Sequence, residues 1–502
     1  MIRTSTTQSF PGRRLALVAG VLSASIAQAS SAHAQGARPR PARPSTVAPP
    51  APPVAPAGPQ PGDVAPVPTE LLRISPSGLT AEQVGTRAAA TSYSGQAADE
   101  SLRGAAARVD AAWASFLPRL TATARYAHLS NFTPPSFTLP GSTMQIPGSA
   151  LSPVITEQYL LQANIVVPIS DYLLRINQNY TSVTNSRDAA RYDAVTARAR
   201  SAADGKVAYY TWLRARSAMV VAVQALNDQK NHLNDAKNQF SVGNASRADV
   251  LRAETAQASA ELQVERSKNL ADLTEMQVRI AMHAKDDEAL VPGEGLDTPP
   301  AAFAGNLNQL TSEAHSARFE VKSIDANADA AREQAKVARA GKYPVVSGFA
   351  DAIYANPNIR FFPTTAKFFP TWDIGVQAIW SPNDFLVAGP GAADAESRAA
   401  TLEAQKAVVR DSIAIEILQA FQAVKEADFA ISSTARELVS ATEAYRVARE
   451  LFNNGRATAT TLTDSETDLT RARLDALNAS VDARTARVRL EHALGRDTHL
   501  VK

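Results

Sequence analysis

The chain contains one long pattern twice, and this duplication limits what it can fold into. A phenylalanine followed three residues later by a glycine occurs at Phe240 and Gly243, and again 212 residues later at Phe452 and Gly455. A Glu-Thr pair follows each copy at the same spacing. Solenoid repeats are only about 20 to 50 residues long. The sequence therefore predicts the duplication of one whole structural unit.

The first seventy residues carry signals for export rather than for a packed domain. Two arginines precede a short apolar run, and small residues surround His33, so residues 1–34 are predicted to be a secretory signal peptide. Proline and alanine dominate residues 35–69, which cannot bury a core and are predicted to be an extended spacer.

Composition excludes several classes of protein. The chain has no cysteine, which excludes disulfides, thiolate metal sites and cysteine nucleophiles. A net charge of +2 with interspersed acids and bases predicts no nucleic-acid partner. The seven histidines show no metal-ligand spacing, and no H-E-x-x-H, G-x-S-x-G or phosphate-loop motif occurs. We therefore expect no enzyme activity, no metal and no cofactor.

Four segments alternate between apolar and polar residues, which predicts strands with one apolar face. They are residues 120–126, 159–167, 345–354 and 372–380. Trp372 and Trp380 fall on the same face and lie about 26 Å apart along a strand. This separation is typical of two aromatic girdles that flank the apolar band of a membrane barrel. A strand half-buried in a soluble sheet would alternate in the same way, but the export signal favours the membrane.

Four strands are too few to close a membrane barrel by themselves. An open sheet edge in lipid leaves backbone groups without hydrogen-bond partners, and the smallest membrane barrels have about eight strands. The sequence therefore predicts that each chain supplies one sector of a barrel shared between copies.

The remaining sequence predicts long helices that pack side by side. Residues 173–240 contain no proline and one glycine, which predicts a rod about 100 Å long. The order helix, strand, strand, long helix, helix is predicted for residues 70–283 and again for 306–495. Residues 284–305 are predicted to connect these halves, and 496–502 to form a tail.

The last helix of each half carries a heptad stripe of mostly small residues, which predicts coiled-coil packing with closely spaced axes. In the first half the stripe is Val250, Ala253, Gln257, Ala260, Val264, Ser267, Ala271, Thr274, Val278 and Ala281. In the second half it is Leu462, Ser465, Leu469, Ala472, Ala476, Ala479, Ala483, Ala486, Leu490 and Ala493. Such a stripe suits helices that form a wall, although a coiled-coil hairpin without a lumen would also show it.

From about residue 72 to residue 495 the chain resembles the TolC family of outer-membrane efflux proteins. The two Phe-x-x-Gly turns carry this resemblance, together with the strand end at Trp380 and Pro382 and the closing Gly495. The resemblance implies a homotrimer with a 12-stranded β-barrel in the outer membrane, continued by an α-helical coiled-coil barrel across the periplasm. It also implies partners, namely a periplasmic adaptor (membrane fusion protein) and an inner-membrane RND or ABC transporter.

The resemblance also assigns roles to residues near the two turns. The turns are expected at the periplasmic tip, where the adaptor docks, and comprise Phe240, Val242, Gly243, Asn244, Ala245, Asn454, Gly455, Arg456 and Ala457. The aperture or gate is expected to involve Asp249, Asp464, Thr461, Phe452, Arg247 and Arg456. Trp372 and Trp380 are expected to face the lipid of the outer membrane.

Some expected gate bonds are missing from this chain. Asp249 stands at a gate-link position, but its partner position is Phe452, which has no hydroxyl, and another link position is Ala457. Arg247, Arg252 or Arg456 could substitute. Asp249 and Asp464 could instead serve as first-turn capping residues.

Two other classes of protein remain open at this stage. A periplasmic coiled-coil adaptor or a structural protein without a channel would share the long helices, and a secreted enzyme is less favoured. The sequence favours a passive exit duct of a tripartite efflux or type I secretion system.

Overall fold

The computed structural model describes most of the chain beyond residue 73. The described residues are 74–138, 140–141, 143–151, 154–285, 287–296, 298–301, 303 and 305–497. The predicted signal peptide, the predicted spacer and residues 498–502 of the predicted tail lie outside the described residues.

The first half begins with short helices and a β-hairpin-like region and ends with two long helices. Its elements are α1 (Ala81–Thr91), α2 (Tyr93–Ala114), β1 (Arg119–His128), β2 (Phe137–Thr138), β3 (Gln145–Ile146), α3 (Gly148–Leu151), β4 (Glu157–Val167), α4 (Ile169–Asp171), α5 (Asn177–Ser241) and α6 (Arg247–Met282). A π-helical turn, Tyr172–Ile176, joins α4 to α5.

The second half repeats this order. Its elements are α7 (Leu307–Ala317), α8 (Phe319–Arg339), β5 (Val345–Asn356), β6 (Phe369–Ile379), α9 (Pro382–Asn453) and α10 (Ala459–Ala493). The prediction of a duplicated order of strands and long helices is therefore confirmed.

The opening helix of each half differs from the prediction of one continuous helix. Ser92 adopts an extended backbone between α1 and α2, and its side chain accepts a hydrogen bond from the Gly95 N–H. Arg318 is extended between α7 and α8. Its guanidinium contacts Glu320 and Glu416 and donates to the carbonyl of Ala493. Each break is thus stabilised by a local cap or by a buried charge network.

The four main strands form one antiparallel sheet in the order β1-β4-β5-β6. The register aligns Ala122, Ala163, Ala352 and Trp372 in one row across the sheet. Because side chains alternate between faces, apolar residues occupy one face of all four strands. Within the described residues, the outer edges of β1 and β6 pair with no further strand.

Two long helical hairpins extend from the sheet. The first hairpin consists of α5 and α6, and the second hairpin of α9 and α10. Helix α5 has 65 residues and α9 has 72, so each is roughly 100 Å long at 1.5 Å per residue. Helix α10 also packs against α5, which joins the two hairpins side by side.

The apolar core lies between these helices rather than inside a globular domain. One cluster includes Tyr209, Trp212 and Leu213 of α5 with Val278 and Met282 of α6. A second cluster joins α9, α10 and α7. The buried members of the predicted α10 stripe are Leu462, Leu469, Ala472, Ala479, Ala483, Ala486, Leu490 and Ala493.

In the described part of the chain, no helix combines the length and apolarity needed to cross a membrane.

Candidate functional site

The two turns that close the helical hairpins have the same backbone structure. Gly243 and Gly455 have φ angles of 79° and 67°, in the left-handed region that favours glycine. The N–H of each glycine donates to a carbonyl three residues back, at Phe240 and Phe452. The next N–H donates to the carbonyl five residues back in each turn. This pair of bonds is the Schellman arrangement, which satisfies the last carbonyls of a helix.

The following helices begin with capping residues at equivalent positions. The Ser246 side chain accepts from the Asp249 N–H, and the Asp249 carboxylate accepts from the Ser246 N–H at 3.0 Å and from its hydroxyl at 2.7 Å. In the second hairpin Thr458 accepts from the Thr461 N–H at 3.2 Å. Asp249 and Thr461 are therefore capping-region residues in this structure.

The contacts of Asp249 favour its ionised form. Hydrogen bonds from the Ser246 hydroxyl and N–H lower the pKa of the Asp249 carboxyl below its ordinary value, with a smaller contribution from Arg252. The Arg252 guanidinium lies 3.6 Å from the Asp249 carboxylate. Of the three arginines proposed as substitutes in a gate bond, Arg252 is thus the one that the structure places beside Asp249.

A cavity of about 390 Å³, here called the tip pocket, lies where the two hairpins meet just behind their turns. It brings together three predicted gate residues, Asp249, Phe452 and Asp464, with Arg252. Thr461, Arg247 and Arg456 do not line it. Its lining residues are Gln229, His232, Ala236, Asp249, Arg252, Ala253, Phe452, Ala459, Thr460, Leu462, Thr463 and Asp464.

The predicted docking residues lie on the outside of the turns. Val242 is 68 % exposed and Phe240 is 43 % exposed. Gly243, Asn244, Asn454, Gly455 and Arg456 are also exposed, and Ala245 and Ala457 are half-buried. A Cβ atom built on either glycine would meet no atom within 4 Å. The turns therefore present an accessible surface, and the docking role of these residues stays a prediction.

Sequence reasoning missed a buried polar cluster behind the tip pocket. His232 and Glu466 have 11 % and 3 % exposed side chains, and the His232 Nε2 lies 3.0 Å from the Glu466 Oε2. Gln229 donates to the same oxygen at 2.8 Å. Metal-ligand spacing gives no sign of this cluster, because its two charged members lie on helices that are far apart in the sequence.

At the sheet, Trp372 and Trp380 are 75 % and 55 % exposed. An aromatic group that was not predicted joins the strands near the loops. Tyr126 and Tyr159 have ring centroids 5.2 Å apart, and Phe368 lies 5.9 Å from Tyr159 and 5.1 Å from Tyr354. Aromatic rings at this level are typical of a membrane–water interface.

Nothing in the described part of the chain suggests a metal centre, because no group of three or more His, Cys, Asp or Glu side chains converges there.

Comparison with known proteins gives one family and a consistent set of structures. The model of the outer membrane efflux protein family matches residues 86–282 and 310–496, one segment in each half. No curated protein matches the sequence.

Several solved outer-membrane channels share the fold at low identity. The outer-membrane channel OprN is 18 % identical with a TM-score of 0.68, covering 85 % of this chain and 95 % of its own. VceC of Vibrio cholerae is 18 % identical with a TM-score of 0.68, covering 83 % and 96 %. The open MtrE channel of Neisseria gonorrhoeae is 16 % identical with a TM-score of 0.64, covering 83 % and 88 %.

Proposed function

Because the chain belongs to the outer membrane efflux protein family, we propose that three copies of it form the exit duct of a tripartite efflux or secretion system. The protein is an outer-membrane channel whose helices extend into the periplasm. Family members work with a periplasmic adaptor and an inner-membrane pump. For this chain the pump is of the RND or ABC type, and the duct conducts its substrate passively.

The observation that carries assembly between copies is the four-stranded sheet, whose two outer edges are unpaired in the part of the chain that the structure describes. The number of copies, three, is taken from the resemblance to the family. In lipid such edges would leave N–H and C=O groups without partners. Pairing β6 of one copy with β1 of the next removes both edges, and three copies give 12 strands. The apolar face supports this arrangement, because Leu120, Leu161, Ile374 and Trp372 are all more than half exposed in the single chain.

Exposed apolar stripes on the outer helices also support contact between copies. On α6, Leu262, Leu273, Met276 and Ile280 are each at least half exposed. These residues recur at spacings of 11, 3 and 4, which places them on one side of the helix. On α9, Val408 and Ile415 are exposed seven residues apart. Neighbouring copies packed along these helices would cover such exposed apolar residues.

The turns and the tip pocket are the proposed periplasmic end of the duct. The hairpins are joined to the sheet at one end, so the turns lie roughly 100 Å from it along α5. Asp249 and Asp464 would give the constriction a negative charge, which favours cations. Opening is proposed to require the hairpins to separate, biased by an adaptor that binds the open form better.

A coiled-coil adaptor or structural protein without a channel would not need an exposed apolar sheet. The experiment that separates these functions is expression in a Gram-negative host, membrane fractionation and recording of the purified protein in planar lipid bilayers. The exit duct predicts a heat-modifiable oligomer in the outer membrane that conducts ions. A soluble periplasmic protein that forms no pores would contradict it.

A further inference from the structure

Near their turns, the two hairpins meet at a buried polar contact. We call Gln229, His232, Tyr445 and Glu466 the inter-hairpin joint, because α5 supplies the first two residues, α9 the third and α10 the last. The Gln229 amide donates to the Glu466 carboxylate at 2.8 Å. The His232 Nε2 lies 3.0 Å from the same oxygen and 3.3 Å from the Tyr445 hydroxyl.

The joint occupies corresponding places in the two hairpins. His232 precedes Gly243 by eleven residues, and Glu466 follows Gly455 by eleven. At 1.5 Å per residue, both lie about 16 Å from the turn. His232 also lines the tip pocket together with Asp249 and Asp464. A separation of the hairpins that extends about 16 Å back from the turns would break this contact.

Burial makes this contact matter more than a surface ion pair would. The Glu466 side chain is 3 % exposed and its Oε1 has no hydrogen-bond partner in the described residues, nor has the His232 Nδ1. A buried charge that loses its partner is strongly unfavourable, whereas an exposed pair contributes little. Another contact between α5 and α10, Arg214 with Asp482, is largely exposed.

Charged groups surround the joint on every helix that forms it. Asp228 on α5 is half-buried, which raises the pKa of its carboxyl, while Arg473, His232 and Arg449 act in the opposite direction. Burial also raises the pKa of the Tyr445 hydroxyl to about 12, so this hydroxyl keeps its proton and remains able to donate. Acidic and basic side chains therefore lie close together around the joint.

We propose that the inter-hairpin joint holds the tip closed in this chain, taking the place of the bonds that Phe452 and Ala457 cannot make. His232 and Glu466 act as positioning residues, because they set the gap between the hairpins without lining the turns. This inference rests on the proposed function. It predicts that substitutions of His232 and Glu466 have non-additive effects on the distance between the two turns.

The test compares single and double variants of the full-length protein in detergent and in bilayers. The chain has no cysteine, so Asn244→Cys and Arg456→Cys place spin labels on the two turns without other labelling. Pulsed electron paramagnetic resonance then gives the separation of the turns. The variants are His232→Leu, Glu466→Leu, their combination and Glu466→Gln. Asp482→Leu is the matched control, since it removes an exposed carboxylate of α10 that contacts α5.

Each single leucine variant should widen the label separation and raise the bilayer conductance, because it removes the contact between the α5 histidine and the α10 carboxylate and leaves the remaining buried polar group with one partner fewer. The double variant should return both readouts toward those of the parent, because two leucines can pack together. Glu466→Gln keeps an acceptor for Gln229 and should widen the gap less than Glu466→Leu. Asp482→Leu should leave the separation unchanged.

The proposed role of the joint is contradicted if both single leucine variants keep the label separation of the parent protein. It is also contradicted if the double variant shows the sum of the two single effects. The label distances are measured whether or not the protein conducts. If the label distances change as predicted but the protein forms no pores, the exit duct is contradicted and the role of the joint in tip separation is retained. Pores with unchanged distances would contradict the joint alone.

Discussion

Ser246 and Asp249 hydrogen-bond to each other in both directions at the first turn of α6. The serine hydroxyl accepts from the aspartate N–H, and the aspartate carboxylate accepts from the serine N–H and hydroxyl. This reciprocal cap satisfies two backbone donors that the helix leaves free. It gives Asp249, which lines the tip pocket, a structural role at the start of α6.

Removing the cap should loosen the start of α6. Ser246→Ala is expected to cost about 0.5–2 kcal/mol of local stability, the usual range for a lost N-cap. Hydrogen exchange at the first turn of α6 measures this loss. Ser412→Ala is the control, because Ser412 lies in the middle of α9 and its hydroxyl only bonds the Val408 carbonyl of its own helix.

The same cap predicts a pH dependence in acid. The pKa of Asp249 is lowered in the folded protein, so its contribution is present above the ordinary aspartate value of about 3.9. It is lost as the pH falls through the lower, folded value. Protection of the first turn of α6 should therefore decrease below about pH 4 in the parent protein. An equal decrease in Asp249→Asn would show that another group titrates.

The glycines of the two turns should resist substitution. Gly243→Ala and Gly455→Ala force an alanine into a left-handed conformation, at a cost of roughly 1–2 kcal/mol each. Free space around both sites leaves backbone strain as the expected cause. Gly104→Ala, in the exposed middle of α2, should instead be neutral or stabilising by up to about 1 kcal/mol. Thermal unfolding of the three variants measures the contrast, and equal stability of all three would contradict it.

The sequence was sufficient for the regular elements and insufficient for their interruptions. Period-two alternation located β1, β4, β5 and β6, and the absence of proline located α5. The break at Ser92 has a local cap, but the break at Arg318 depends on tertiary contacts, since its guanidinium reaches Glu416 and the end of α10. No local pattern records such a contact.

Helix α9 shows the opposite case, a helix that continues where residue preferences predict a break. Pro390, between two glycines, lies inside α9, which continues on both sides of it. Proline is unfavourable within an isolated helix, so residue preferences alone would end the helix here. Gly341 and Gly391 lie where the end of α8 approaches this part of α9, and packing between the helices overrides the local preference.

The parts of the candidate site that depend on local backbone conformation were predictable from the sequence. The parts that depend on contacts between side chains of different helices were not. The glycine turns and the position of Asp249 as a possible cap follow from spacing. The partnership of His232 with Glu466 depends on the rotation of α5 against α10, which a heptad pattern defines only approximately. The sequence therefore predicted the glycine turns and a cap at Asp249 without identifying the inter-hairpin joint.

A charge on the apolar face of the sheet should impair assembly in the membrane more than a charge on the opposite face. Ile374→Lys places a charge on the face that carries Trp372 and is expected to cost about 2–4 kcal/mol near the bilayer midplane. Gln377→Lys on the opposite face of the same strand loses one hydrogen bond to Ser347 and should cost about 1 kcal/mol. The amount of assembled protein in the outer membrane measures the difference. Equal assembly of both variants would place this face away from lipid.

Asp464 is predicted to contribute charge to the constriction. Asp464→Asn should weaken block by multivalent cations several-fold in single-channel recordings, and the effect should decrease at high ionic strength because salt screens exposed charges. Asp468→Asn, which removes an exposed carboxylate outside the tip pocket, is the control. Unchanged block in Asp464→Asn would remove this residue from the constriction.

The native mass of the detergent-solubilised protein tests the central claim most directly, because one chain supplies only four strands of a closed barrel. The parent protein should have the mass of three chains. Leu273→Glu, on the exposed α6 stripe, should shift the population toward single chains, while Lys268→Glu, exposed on another side of α6, should not. A parent protein that is a stable single chain in plain buffer, without affinity for detergent, would contradict the account.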